Sequence, residues 1–325
     1  MVNSDISAQS DVVFENPFQI EDLQVFDRET MHSMFSIGQV EQTSKLLAQS
    51  LHGVAPSLVR RVQQSLPPEQ QRLFQQEVQR PLSSSQIKVA RQHVLNKLFW
   101  ELIYWKTPEF YEELTEGEHL HQGIFQSLEP QLRGKVVLDA GAGSGRASFE
   151  CIRYGAALVQ AVEPSPGLLH LLQKKIQQHG IAQQIVAATG RFDRLPLADH
   201  SVDTAISCSA FTAMDEQGGE PGLVEFKRVT RPDGTIIVIW PRTEDHGWFT
   251  AHGFQYVSLP VEDEMCVHFR SLNSAFECAH LFYAHNPAVT RYLEQTHKAE
   301  VPFSVIGMNP PCDYFWLMLE ALKKE

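Results

Sequence analysis

Basic residues are scarce in this chain. Lys and Arg number 27 against 39 Asp and Glu in 325 residues, a formal charge of −12. A protein that grips nucleic acid through its phosphates carries a basic surface, so no nucleic-acid partner is expected. Cysteine is sparse too: Cys151, Cys208, Cys266, Cys278 and Cys312 are odd in number, widely spaced and without a CxxC pair. Neither a zinc site nor a disulfide framework is signalled, and no metal is expected. No Lys or Arg precedes Arg28, and the acidic start with Asp5, Asp11 and Glu15 lacks the basic and apolar stretches of a secretory leader. The longest apolar runs, such as Thr235 to Trp240, are strand-sized and too short to cross a bilayer. These absences lead to the expectation of a cytoplasmic chain with reduced thiols and no membrane partner. Neither an internal repeat nor a low-complexity tract is visible.

What remains is an ordinary globular composition, long enough for one large domain or two smaller ones. Three regions are expected: an irregular, acidic segment over residues 1–36, a helical region over 37–128, and an α/β domain over 129–325. In the helical region Ile87, Ala90, Val94, Leu98 and Leu102 recur at three- and four-residue steps. Ser83, Ser84 and Ser85 supply N-cap residues for that stripe. Pro67 and Pro68 open another helix, with Leu73, Phe74 and Val78 on one face. The glutamines between apolar positions read as solvated surface.

From Lys135 the period changes. Strands are expected at 135–139, 157–162, 184–188, 203–208 and 235–240, with helices near 145–154, 166–179 and 220–230. Gly155 and Gly180 stand where C-terminal caps belong, and Pro166 suits a first helical turn. Such alternation predicts a doubly wound, mostly parallel Rossmann-like sheet. Further on, 254–259 and 265–269 read as strands, 273–296 as helix interrupted at Pro287, and 313–323 as a last short helix.

The central motif is Val136-Val137-Leu138-Asp139-Ala140-Gly141-Ala142-Gly143-Ser144-Gly145. A buried strand enters a glycine-rich turn, and a helix follows. Glycines let a ligand approach the backbone, and the helix start adds unpaired N–H groups. A dinucleotide fingerprint reads GxGxxG. Here the third glycine comes one residue early and Arg146 fills its place, which argues against NAD or FAD. Glu163, in Ala161-Val162-Glu163-Pro164, ends the next strand 24 residues after Asp139. An acid at that tip can accept hydrogen bonds from ribose hydroxyls. Two further segments complete the pattern: Gly190-Arg191-Phe192-Asp193-Arg194-Leu195-Pro196-Leu197, and Glu225 to Gly234, whose Pro232-Asp233-Gly234 is a turn. Asp193 and Asp203 read as turn and strand-edge residues.

Taken in order, these segments over about residues 120–241 resemble the class I S-adenosylmethionine-dependent methyltransferases. The resemblance implies a seven-stranded sheet with one antiparallel strand near the edge, and S-adenosylmethionine as cofactor. It implies that Asp139, Ala140, Gly141, Gly143 and Gly145 hold the methionine half, and that Glu163, with Pro164 beside it, holds the ribose. Arg191 and Phe192 would flank the adenine, and Ser207 to Phe211, Ser209 included, would face the reactive centre. Relatives often carry an acid where Arg191 stands, so the side-chain reading of adenine departs from the pattern here. Asn309-Pro310-Pro311 is similar to a signature of enzymes that methylate amino groups of DNA bases, where it follows the fourth strand. Here it precedes Cys312 near the C-terminus and reads as a rigid turn.

The resemblance implies methyl transfer to a small-molecule acceptor, at O, N or C, by in-line displacement. The protein then mainly aligns the acceptor and excludes water. Phe211, Tyr104, Trp105, Phe110 and Tyr111 are candidates for an aromatic wall facing a sulfonium. His119, His121 and His246 are the candidate bases, with Asp215 and Glu216 as alternatives. The helical region reads as a cap over a pocket or as a dimerisation surface, so a homodimer is an option. The competing readings are a methyltransferase acting on protein or RNA, a non-catalytic S-adenosylmethionine sensor or partner protein, and, more distantly, a nicotinamide oxidoreductase.

Overall fold

The computed structural model describes residues 16–36 and 40–321. Ile37 and the acids at 5, 11 and 15 lie outside the described residues, as does the end of the 313–323 segment. The chain divides into two compact units, one of residues 1–110 with 269–301 and one of residues 111–268 with 302–325.

The first unit is helical. A 3₁₀ turn (Ile20–Val25) precedes α1 (Arg28–Ser36), α2 (Val40–Ser50), α3 (Pro56–Ser65), α4 (Pro68–Val78), α5 (Ser84–Lys97) and α6 (Phe99–Lys106). The irregular segment expected over 1–36 is therefore corrected from Ile20 onward. Asp27 accepts from the Thr30 N–H at 2.7 Å at the start of α1, and Met31 and Phe35, four residues apart, are buried. A helix this short leaves too few periods to stand out against an acidic composition. Ser83 caps α5 as expected, accepting from the Gln86 N–H. Its stripe holds, but the helix breaks at Leu98 before α6 resumes it. One glutamine is not solvated: Gln70 is buried, and its Oε1 accepts from Ser44 Oγ at 2.8 Å.

The division falls within α7 (Pro108–Gly117). The second unit continues with α8 (Gly123–Leu132), β1 (Val136–Ala140), α9 (Arg146–Arg153), β2 (Leu158–Glu163), α10 (Pro166–His179), β3 (Ile185–Thr189) and β4 (Val202–Cys208). Then come α11 (Gly219–Val229), β5 (Thr230–Ile239), α12 (His246–Ala251), β6 (Gln255–Ser258) and β7 (Cys266–His268). Helices α13 (Leu272–Phe282) and α14 (Pro287–Thr296) belong to the first unit; β8 (Glu300–Pro302), α15 (Phe303–Ile306) and β9 (Asp313–Met318) close the described chain.

Among the described residues the second unit builds one seven-stranded sheet in the order β3-β2-β1-β4-β5-β9-β6. Strands β1 to β5 run parallel, and β9 runs antiparallel between β5 and β6. This is the α/β, doubly wound sheet with one reversed strand near its edge. The helix expected over 313–323 is thus corrected to a strand. Asp-Tyr-Phe-Trp-Leu-Met is rich in residues that favour strands, and partners on both sides complete its hydrogen bonding. Strand β5 begins earlier than expected, at Thr230. Its register jumps between the pairs Val202–Thr230 and Thr204–Thr235, so the Pro232-Asp233-Gly234 turn forms a bulge inside it.

Both faces of the sheet are packed. Val137, Val159, Ile206 and Ile237 join α8, α9 and α10 residues in one buried cluster. Leu138, Val162, Ala205 and Val238 join Leu223, Phe226 and Phe249 in the other. Asp203 is structural: its carboxylate accepts from the Val136 N–H at 2.8 Å and pairs with Arg231 at 2.7 Å. None of the described helices is long and apolar enough to cross a membrane.

Candidate functional site

The strand order reverses between β1 and β4, so a crevice opens where the carboxyl ends of these strands part. The glycine turn sits there. Gly141, Gly143 and Gly145 have φ of 69°, 56° and 101°, the left-handed region that disfavours other residues. At Gly141 space forbids a side chain as well: a Cβ would lie 2.7 Å from Ala210 Cβ and 2.9 Å from Phe192 Cζ. At Gly143 nothing lies nearer than the Tyr111 hydroxyl, at 3.5 Å. The Gly143 backbone is therefore approachable, which is what a ligand cradle needs.

Glu163, at the tip of β2, is buried, and its carboxylate turns toward this cradle. Oε2 accepts from the Gly143 N–H at 2.8 Å and Oε1 from the Ser165 N–H at 2.8 Å. Pairing of Ala140 with Val162 sets this meeting, because it brings the two strand ends level. Pro164 is exposed, just outside. Phe192 stands beside Gly141, its ring edge-on to Phe211 at 5.2 Å and to Phe226 at 5.9 Å. Arg191 is exposed, pairs with Asp193 at 3.0 Å and bridges to Arg194. Its guanidinium is thus occupied by the turn it belongs to.

Asp139 is fully buried and takes a 2.5 Å hydrogen bond from Ser148 Oγ; among the described residues its other oxygen meets no donor. Burial raises its carboxyl to about 6. The side chain is aimed at α9, so its role toward a ligand runs through the backbone of the turn. Ser207 is buried with no partner for its Oγ among the described residues. Ser209 takes φ 59° at the end of β4, and Trp240 takes φ 52° at the end of β5. These two strained residues lie side by side, the Ser209 N–H donating to the Ile239 carbonyl at 2.9 Å. Strain of this kind gathers at functional sites.

The three histidines fall into two groups. His119 and His121 line a groove of about 320 Å³ with Thr115, Glu118, Arg146 and Lys175. His121 accepts from the Gly123 N–H through Nδ1, and the His119 ring lies 5.6 Å from that of His268. His246 stands at the start of α12, its ring 4.9 Å from Tyr256 and its Nε2 3.9 Å from Asp313 Oδ2. Asp215 is in a short 3₁₀ turn (Asp215–Gln217) beyond β4. Among the described residues no group of three or more His, Cys, Asp or Glu could hold a metal.

Sequence reasoning undervalues one residue beside the glycine turn and leaves a second among several candidates. Arg146 registered only as a departure from a dinucleotide fingerprint, yet it pairs with Glu118 at 2.8 Å and lies 5.8 Å from the Trp240 ring centre. Tyr111, one of the aromatic candidates, has its hydroxyl 3.5 Å from where a Cβ on Gly143 would stand. Burial pushes its hydroxyl up to about 12, so it remains a neutral donor.

A methyltransferase domain family model matches residues 137–234. An uncharacterized methyltransferase of Mycobacterium bovis is 34% identical over 113 residues, covering 34% of this chain and 42% of that protein. The dimethylglycine N-methyltransferase of Parasynechococcus marenigrum is 26% identical over 156 residues, covering 42% of this chain and 55% of that one. The YcgJ protein of Bacillus subtilis shares 13% identity at a TM-score of 0.42, with 62% of this chain and 100% of that one covered. The chain thus spans about half the length, or less, of the curated relatives it matches. Residues 137–234 thus match a methyltransferase domain, and S-adenosylmethionine is the cofactor that such a domain implies.

Proposed function

We propose that this chain transfers a methyl group from S-adenosylmethionine to a small-molecule acceptor. The observation that carries the reading is the Glu163 carboxylate, held on the Gly143 N–H at the switch point of a parallel sheet. A buried carboxylate at that tip suits the two hydroxyls of a ribose, and the missing side chain of Gly143 leaves that face of the turn open to an amino-acid moiety. Bound there, the cofactor supplies a methyl group already activated on a sulfonium.

The residues then bind, orient and exclude water. Glu163 would accept from the ribose, Phe192 would wall the adenine side, and Asp139 would brace the turn through α9. Ser209 and Trp240, at the tips of β4 and β5, would shape the acceptor side. Where the acceptor must lose a proton, His119, His121 or His246 would take it. An acidic chain of charge −12 favours a small acceptor over RNA. A relative whose name gives dimethylglycine as its substrate favours it too.

The test is release of S-adenosylhomocysteine by the purified chain from S-adenosylmethionine with a panel of small amines, carboxylic acids and phenols. Turnover with one of them is the expected result. Tight binding of S-adenosylhomocysteine without turnover on any acceptor favours the sensor reading instead, and turnover only with protein or RNA overturns the small acceptor.

A further inference from the structure

Between β3 and β4 the chain runs through residues 190–201 with no helix or strand, only a single bridge between Arg191 and Arg194. Such a loop must find partners for its backbone elsewhere. Glu225 and Arg228, three residues apart on α11, supply them. The Leu195 N–H donates to Glu225 Oε2 at 2.8 Å. Arg228 Nη2 donates to the Leu195 carbonyl at 3.2 Å, and Nη1 donates to the Leu197 carbonyl at 2.8 Å and to Asp199 at 2.7 Å. The two side chains are also joined to each other as a fork. Arg228 Nε donates to Glu225 Oε1 at 2.6 Å, and Nη2 donates to Oε2 at 2.7 Å. Bidentate pairs of this kind are strong and fixed in geometry. The guanidinium holds the Glu225 carboxyl below the ordinary carboxylate range. Beyond the fork, the His200 and Ser201 N–H groups donate to the Arg228 and Val229 carbonyls at 2.9 Å and 2.8 Å.

Leu195 lies three positions beyond Phe192, the residue whose ring stands beside Gly141. Helix α11 grips the loop a second time there. Phe226, the neighbour of Glu225, meets the Phe192 ring edge-on at 5.9 Å. The start of the loop has no slack either. A Cβ at Gly190 would lie 2.6 Å from both Pro196 Cδ and Val162 Cγ1, so the loop is folded tightly against β2. Groups that recognise a ligand need neighbours that lock them in place. We infer that the Glu225–Arg228 pair is a positioning element for the cofactor's purine, fixing loop 190–199, and through it Phe192, beside the glycine turn. The pair acts through the loop and not by contact with the purine. The inference rests on the function proposed above, which makes the Phe192 side of the crevice the adenine side. Adenine and hypoxanthine share a shape but offer different hydrogen bonds at N1 and at position 6. A fixed wall tells them apart, and a loose one does not.

The experiment compares the wild type with Arg228→Met, which removes the fork, and with Arg228→Lys, which keeps the charge but has no fork. Calorimetry measures S-adenosylhomocysteine and its hypoxanthine analogue, S-inosylhomocysteine. Hydrogen exchange follows the amides of residues 191–198. The wild type should prefer the adenine compound by about tenfold or more, the difference that one or two hydrogen bonds make. In Arg228→Met, exchange in 191–198 should quicken while the amides of β1 and β4 keep their wild-type rates. Affinity for S-adenosylhomocysteine should fall by about tenfold, and the preference should shrink toward one. Arg228→Lys should fall between the two, and it decides alone if Arg228→Met does not fold. A variant that keeps the wild-type preference overturns the inference, whatever happens to its melting temperature, because the pair is then structural only. A shrunken preference without quickened exchange overturns it too, because the loop is then not the carrier. A wild type that binds both compounds equally defeats the inference alone, whereas one that binds neither defeats the cofactor reading and the inference with it.

Discussion

The two ends of the sheet's carboxyl edge are built differently. At the β1–β2 end, the polar groups that matter come from one short stretch of chain: Gly143 meets Glu163 across 20 residues. They leave backbone exposed for something else to bind. At the β5–β9–β6 end, Tyr256 donates to Asp313 at 2.8 Å across 57 residues, and His246 leans on Tyr256 and Phe315. Here the polar groups serve one another beneath aromatic rings, and burial pushes the Asp313 carboxyl up. The first end is a cradle and the second is a clasp. Changes at the cradle should therefore cost ligand affinity, and changes at the clasp should cost stability.

The largest effect is expected from Gly143→Val. A Cβ there meets nothing nearer than the Tyr111 hydroxyl at 3.5 Å, but the φ of 56° costs an L-residue about 1–2 kcal/mol, and the branches of valine would fill the cradle. Affinity for S-adenosylhomocysteine should fall by more than about a hundredfold, that is by some 3 kcal/mol, while the melting temperature moves by only a few degrees. Undiminished binding by calorimetry would remove the cradle from the account. Glu163→Gln comes next. It keeps the shape but gives up charge-assisted bonds, worth roughly 1.5–3 kcal/mol, so a ten- to hundredfold loss of affinity is expected.

Asp139 sharpens the contrast, because it lies in the cradle's own strand but acts as a stability group. Burial raises its folded-state carboxyl to about 6 from an ordinary 3.8. The native state thus holds this proton to higher pH than the unfolded state does. Its contribution to stability is fully present below the unfolded value and is lost as pH rises through the folded one, at a cost approaching roughly 3 kcal/mol. Asp139→Asn should stabilise the chain above pH 6 in urea titrations, with the gain shrinking as pH falls toward 4. A gain that does not depend on pH would contradict the burial argument. The smallest effect is expected from Tyr256→Phe, about 1 kcal/mol of stability for one hydrogen bond. Should that variant weaken S-adenosylhomocysteine as much as Glu163→Gln does, the division between cradle and clasp collapses.

Legibility in the sequence follows the same division. The strand–turn–helix around Asp139 to Gly145 was readable because glycine's conformational freedom and the change of hydrophobic period are local properties. Glu163 was readable because a parallel β–α–β unit places its second strand tip beside the first. Arg28–Ser36 holds too few periods to signal a helix, and the segment 313–323 reads as a helix although it carries the strand Asp313–Met318, because aromatic runs of that length suit either state. Gln70 reads as surface in the sequence, and it is buried with Ser44 opposite to satisfy it.

Glycine positions, capping residues and the alternation of strand with helix are written in neighbouring residues, so the chain's own order determined the parallel sheet and its cradle. Which side chains meet across 28, 57 or 69 positions, as Arg146 meets Glu118, Tyr256 meets Asp313 and Trp240 meets Asn309, was decided only by tertiary structure. Such meetings depend on sheet order, register and packing, and none of these leaves a periodic trace in the residues themselves.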